Sequence, residues 1–139
     1  MLRVILTSIL MIAPLLVTAQ GAQTMKSSRN EINADQLRSW YEQEIEMVVV
    51  DARTKAYFDG TLLPNAQWLP ARSNAELIQT IIPSKDILVV VYCLGVTCPA
   101  SGMLYDQLIS MGYTNVYEYH EGLQDWLQRG YPVKDIAGL

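Results

Sequence analysis

Histidine occurs once in this 139-residue chain and cysteine twice. That scarcity limits metal chemistry, because Cys93, Cys98 and His120 supply at most three soft ligands, at a spacing unlike that of a structural zinc site. Two cysteines are also too few to staple a disulfide scaffold, so they need another explanation. Cations are scarce too, 10 Lys and Arg against 14 Asp and Glu. Without a basic face the chain is not built to hold nucleic acid. Internal repeats and low-complexity tracts are absent. The amino-terminal apolar stretch from Val4 to Val17 is broken by Thr7, Ser8 and Pro14, short of the about 20 residues that cross a bilayer.

That stretch has one cation, Arg3, an apolar centre and a Val17-Thr18-Ala19 end, so residues 1–19 read as a secretory signal cut after Ala19. An uncleaved anchor is the alternative. The expected location is therefore exported, periplasmic or secreted, with no stable membrane insertion once the signal is cut. No cysteine follows the cut, which argues against lipid attachment there. Removing the signal takes only Arg3 from the charges, and the remaining length suits one compact domain. Residues 20–31 read as a polar leader, 32–134 as the domain and 135–139 as a tail.

Strand and helix signals alternate through the domain. Asn33-Ala-Asp-Gln36 has the form of a helix-opening capping box for a helix reaching about Gln43. Met47 to Val50 is a buried strand with Asp51-Ala-Arg53 at its carboxyl end, followed by a short helix over Thr54 to Phe58 and a stop at Gly60. Pro64-Asn65 fits the centre of a type II turn, and Ala66 to Leu69 a short strand. Ser73-Asn-Ala-Glu76 predicts a second capping box for a helix to about Ile81, which Pro83 stops. Met103, Leu104, Leu108 and Met111 mark a helix ended by Gly112, Val116 to Tyr119 a last strand, and Gly122 to Gln128 a last helix. The class is α/β, an open parallel sheet flanked by helices.

The chain is organised around Ile87 to Gly102. From Ile87 to Tyr92 six apolar or aromatic residues run without alternation, the pattern of a strand buried on both faces. Cys93 then lies at the carboxyl end of a central strand, the edge where ligands bind in open α/β sheets. Pro99 fits the first position of a following helix, with Cys98 as its cap, and that helix end favours a thiolate. Backbone donors from Leu94 through Cys98, with Gly95 allowing tight curvature, can form a cradle for one anionic atom on the Cys93 sulfur. The bland alternative is a small apolar residue closing a core strand.

Several of these landmarks resemble the rhodanese sulfurtransferase domain, over about Ile32 to Val133. Val49-Val-Asp51-Ala-Arg53 is similar to that family's first motif, and Gly60-Thr-Leu-Leu-Pro64-Asn-Ala66 to its Gly-His-Ile-Pro-Gly-Ala segment. Tyr92-Cys93-Leu-Gly95 resembles its active loop. Gly112-Tyr-Thr-Asn-Val116, Glu121-Gly-Leu-Gln-Asp-Trp126 and Gly130-Tyr-Pro132 look like its closing signature. Order and spacing together make the match specific.

The resemblance implies a rhodanese-like fold and an enzyme without a cofactor. Cys93 would take a sulfane sulfur from a small-molecule donor of the thiosulfate or persulfide type and pass it from a persulfide to a thiol or cyanide acceptor, or to a protein thiol. Leu94, Gly95, Val96, Thr97 and Cys98 would bind the substrate. Asp51 and Arg53 would support the loop, with a purely structural ion pair as the alternative role. The chain departs from the family where Thr61-Leu-Leu63 replaces the histidine of the second segment. It departs again where Leu94, Val96 and Cys98 stand in place of cationic or hydroxyl residues, which weakens the case for the thiosulfate dianion. His120 reads as a surface residue. A phosphatase would need an arginine after the loop, where Cys98-Pro99 stands, and a non-catalytic module would not need Cys93. The serious rival is a thiol-disulfide redox protein in which Cys98 resolves an adduct on Cys93; a bridge between them requires the loop to tighten.

Overall fold

The computed structural model describes residues 28–136. The expected signal, residues 1–19, lies outside them, as do residues 20–27 of the leader and 137–139 of the tail. Four helices, α1 (Ala34–Glu42), α2 (Ala75–Ile81), α3 (Ala100–Ser110) and α4 (Gly122–Gln128), alternate with six short strands. Four of the strands form one parallel sheet in the order β3 (Gln67–Trp68), β1 (Met47–Asp51), β4 (Leu88–Tyr92), β5 (Val116–Tyr119). The open parallel architecture expected from the sequence is the one observed.

Strand β4 is central, and its side chains explain the missing alternation. Val89 and Val91 point into one core, with Ile78 and Ile82 around α2 and Leu104 and Leu108 of α3. Val90 and Tyr92 point into the other, with Leu37 of α1 and Leu123 and Trp126 of α4. All four are fully buried. At roughly 1.5–3 kcal/mol for each large apolar side chain, this strand anchors both layers. Register pairs Asp51 with Tyr92 and Tyr92 with Tyr119, so the ends of β1, β4 and β5 share one edge. Cys93 follows on that edge.

Local signals placed most boundaries. Asn33 caps α1, its side chain accepting the Gln36 amide at 2.9 Å. Asn65 takes φ 55° and Ala66 N–H bonds Leu63 O at 3.1 Å, the turn expected at Pro64-Asn65. Others shifted by one residue. The cap of α2 is Asn74, accepting from Leu77 N, while the Ser73 hydroxyl donates back to Pro70 O. Pro99 rather than Cys98 occupies the position before α3, with no side-chain cap.

The helix expected over Thr54 to Phe58 is a single turn, in which the amides of Tyr57 and Phe58 share Thr54 O. Tertiary contacts unwind it: Arg53 holds Tyr57 O, and the Phe58 ring stacks on Trp68 with centroids 4.7 Å apart. A second sheet, not foreseen, pairs β2 (Thr61–Leu62) antiparallel with β6 (Lys134–Asp135), drawing the start of the expected tail into the fold. The end of the expected leader is engaged as well. Glu31 bridges Glu118 in parallel, and Glu118 N–H bonds Asn30 O at 2.8 Å. Among the described residues, no helix is long and apolar enough to cross a membrane.

Candidate active site

Cys93 is fully buried at the end of β4. The loop after it hangs on the start of α4, whose Leu123 and Gln124 amides donate to Cys93 O at 2.9 Å and Leu94 O at 2.8 Å. Two glycines permit that approach. Gly122 has φ +65°, and a Cβ there would run into the Cys93 carbonyl oxygen and lie 3.1 Å from Gly95 N. A Cβ on Gly95 would lie 2.5 Å from the Gln124 side-chain oxygen. Gly122→Ala, which adds both left-handed strain and a backbone clash, should lower stability by about 1–3 kcal/mol and displace the loop. The midpoint of urea unfolding reads this; an unchanged midpoint would contradict it.

Within the loop Cys98 N–H bonds Gly95 O at 2.9 Å, a tight turn that brings the two cysteine Cα atoms to 6.2 Å, and Cys93 and Cys98 are joined by a disulfide. The tightening that a bridge requires is therefore built in. It also corrects the expected cradle, since the Cys98 donor is already committed. The amides of Leu94, Gly95, Val96 and Thr97 have no protein acceptor among the described residues. Val96 and Thr97 are exposed, Gly95 is buried, and Leu94 packs against both cores. The bridge is asymmetric: Cys93 is sealed from solvent, whereas Cys98 is half-buried.

Cys98 lines two clefts. One, of about 200 Å³, is walled by Tyr57, Leu94, Thr97 and Pro99 and carries no charged side chain. The other, of about 290 Å³, includes Arg29, Glu118 and His120. A larger cleft of about 540 Å³, around Tyr41, Trp126 and Tyr131, contains neither cysteine nor any loop residue, so its size alone does not make it the reactive site.

Asp51 and Arg53, both buried, form a closed network. Arg53 Nε donates to Asp51 Oδ2 at 2.9 Å and Oδ1 at 3.1 Å, and Nη2 lies 2.8 Å from Asp51 Oδ2. The remaining N–H groups reach Tyr57 O, Asp59 Oδ1 and Thr61 O. Burial opposes the guanidinium charge, yet its hydrogen bonds and attraction to Asp51 and Asp59 hold its pKa above the ordinary value. The Thr61 amide and then Arg53 hold the Asp59 carboxyl below its usual range. Burial and the neighbouring Asp51 push the Tyr92 phenol up, so it stays neutral and accepts Leu63 N–H at 3.1 Å. Arg53 thus ties the end of β1 to the segment from Tyr57 to Thr61, the structural role, with no donor left for a substrate.

Glu118 was not singled out from the sequence, although a carboxylate inside an otherwise apolar strand is the signal that could have marked it. It is 2 % exposed. Its Oε1 accepts from Ser101 at 2.7 Å, and its Oε2 has no hydrogen-bond partner among the described residues. Arg29 Nη1 stands 3.7 Å from Oε2 and His120 Nδ1 3.7 Å from Oε1. The His120 side chain is 44 % exposed, as befits a surface residue. Among the described residues no three His, Cys, Asp or Glu side chains gather into a metal-binding group.

Known proteins share this arrangement of strands around the loop. Residues 33–129 match the rhodanese-like domain family. The adenylyltransferase and sulfurtransferase UBA4 of Candida albicans is 34 % identical over 85 residues, covering 57 % of this chain and 19 % of that protein. The chain thus spans about a fifth of the length of that relative. The crystal structure of a Bacillus halodurans protein superimposes with a TM-score of 0.69 at 20 % identity, covering 78 % of this chain and 79 % of the other. That of thiosulfate sulfurtransferase from Pseudomonas aeruginosa gives 0.64 at 18 % identity over 77 % of this chain and 20 % of the other. At these identities the structural likeness carries the fold, and the family match carries membership: this chain belongs to the rhodanese-like domain family.

Proposed function

We propose that the chain is a sulfurtransferase working through a persulfide on Cys93. The observation that supports this most is the placement of Cys93 at the carboxyl edge of the central strand, followed by four amides, Leu94 to Thr97, that have no protein acceptor among the described residues. Reduction of the bridge by two equivalents of an external thiol, which leave as their own disulfide, frees Cys93. Its thiolate then attacks the sulfane sulfur of a donor, a sulfur–sulfur bond forms on Cys93, and the donor leaves as sulfite or a thiolate. Attack by cyanide or a thiolate on the outer sulfur returns Cys93 as the leaving thiolate. Splitting the transfer requires a sulfur that both attacks and departs well, which amide donors around it favour.

Intact mass of the reduced protein after incubation with thiosulfate or an organic thiosulfonate tests the reading. A gain of one sulfur atom, removed by cyanide, supports it; no gain with any sulfane donor overturns it. The Cys93–Cys98 bridge favours a second reading, thiol–disulfide exchange, in which Cys98 resolves a mixed disulfide on Cys93 and no sulfane sulfur is carried.

Thiosulfate should be a poor donor. The smaller cleft is uncharged, and Arg29 in the other is already paired with Asp106 and faces Glu118. We expect kcat/KM for thiosulfate at least about tenfold below that for a persulfide of uncharged tail, the scale of one missing charge-assisted hydrogen bond. Steady-state comparison of the two donors decides it. Export is proposed as well. The mature protein recovered from the periplasm or medium should begin at Gln20, whereas full-length protein in membranes would indicate an anchor.

A further inference from the structure

The cleft that Cys98 shares with Glu118 is a built site that the sulfur-transfer steps above do not use. Arg29 crosses helix α3 over Gly102, where a Cβ would come within 2.9 Å of the guanidinium carbon. Its Nε and Nη2 are taken by both carboxylate oxygens of Asp106, at 3.1 and 2.8 Å. The cation is therefore already neutralised, and the group Arg29, Asp106 and Glu118 carries one net negative charge. That charge resides on a carboxylate almost wholly withdrawn from water, whose Oε2 accepts no hydrogen bond among the described residues and has Arg29 Nη1 only at ion-pair distance, 3.7 Å. A buried carboxylate oxygen without a donor is costly unless something supplies one. The same cleft reaches Cys98, the half-buried end of the bridge.

We propose that this cleft is an aminothiol site: Glu118 Oε2 accepts from the ligand's ammonium group, and the ligand's thiolate opens the bridge at Cys98. A two-carbon aminothiol fits within the about 290 Å³ available. The thiolate attacks Cys98 Sγ, a bond forms between ligand and Cys98, the Cys93–Cys98 bond breaks, and the electron pair departs on Cys93. A second aminothiolate attacks the mixed disulfide, releasing the ligand as its symmetrical disulfide and leaving Cys98 as a thiolate. Two thiols are oxidised and one protein disulfide is reduced. Attack at Cys98 follows from its being the less buried sulfur, and departure of Cys93 from its position beside loop amides that have no acceptor among the described residues. The site rests on the bridge and the cleft; it would serve the sulfurtransferase reading by returning Cys93 to its reactive form, yet its test involves no sulfane sulfur, so either can fail without the other.

The experiment opens the oxidised full-length chain with cysteamine, 2-mercaptoethanol and 3-mercaptopropionate, thiols with an ammonium, hydroxyl and carboxylate tail. Opening is followed by alkylation and intact mass. Each rate is expressed per thiolate and divided by the rate of the same thiol on bis(2-hydroxyethyl) disulfide, which removes differences in intrinsic nucleophilicity. The expected order is ammonium, hydroxyl, carboxylate, with about tenfold or more between the first two. In Glu118→Gln the order should collapse toward equality, and in Arg29→Gln it should steepen. The mixed disulfide trapped with cysteamine should lie on Cys98. Equal normalised rates in the parent, a preference retained in Glu118→Gln, or a mixed disulfide on Cys93 would each overturn the proposal. Should Glu118→Gln fail to fold, Arg29→Gln and the parent's order decide, because removing a cation must increase an ammonium preference that Glu118 causes.

Discussion

Cys93→Ser should reduce sulfur transfer to cyanide by at least about a thousandfold, because the hydroxyl that replaces the thiol cannot carry a sulfane sulfur between two displacements. The variant also loses the bridge to Cys98, which closes a short loop and contributes about 2 kcal/mol on the chain-entropy account. Cys98→Ser separates the two effects. It loses the same bridge and keeps the nucleophile, so it should remain active when reduced while Cys93→Ser is inactive. Without a partner to trap an oxidised Cys93 as a reversible disulfide, Cys98→Ser should be inactivated by peroxide in a way that reductant does not reverse, whereas the parent recovers. Cyanide-dependent transfer and thiocyanate formation read both. Turnover by Cys93→Ser would remove the central claim, and equal recovery from peroxide in parent and Cys98→Ser would leave Cys98 as only a residue at a helix start.

Arg53→Ala is expected to destabilise the fold by about 3–5 kcal/mol, a large share of what holds a domain of this size together. The side chain is 1 % exposed and binds a carboxylate that is itself fully buried. Its removal leaves the Asp51 charge in the interior without a counter-charge, held only by the backbone amide of residue 53, and takes the side-chain donors from Tyr57 O, Asp59 and Thr61 O at once. Arg53→Lys should recover little, because one ammonium cannot reproduce a bidentate fork and three further contacts. Urea denaturation measures both variants. A loss below about 1 kcal/mol in Arg53→Ala would mean that the network is weakly coupled to the fold. Any fall in activity should follow the fraction unfolded, since Arg53 has no donor left to offer a substrate.

Much of the route to Cys93 was legible from local physics. A short, mostly β-branched apolar run without alternation is the pattern of a strand covered on both faces, and proline, asparagine and glycine marked the turns because their backbone preferences act within a few residues. The same signals misplaced the caps of α2 and α3 by one position, where Ser73 turned back to Pro70 O and Cys98 was held by its bridge and by Gly95 O. They failed at Thr54 to Phe58, where helical spacing was overridden by Arg53 and by stacking of Phe58 on Trp68.

The sequence by itself determined that a cysteine ends the central strand and that a second one closes the loop, because burial pattern and turn chemistry are properties of neighbouring residues. Tertiary structure alone decided which cysteine is sealed from solvent, what Arg53 binds, and that Arg29, Ser101 and Glu118 meet beside Cys98. Arg29 and Asp106 are 77 positions apart, and Glu31 pairs with Glu118 across the sheet edge. No local preference encodes such pairs. They follow from the parallel register of β4 and β5, which sets Tyr92 beside Tyr119 and so puts Glu118 and the cysteine loop at one edge of the sheet.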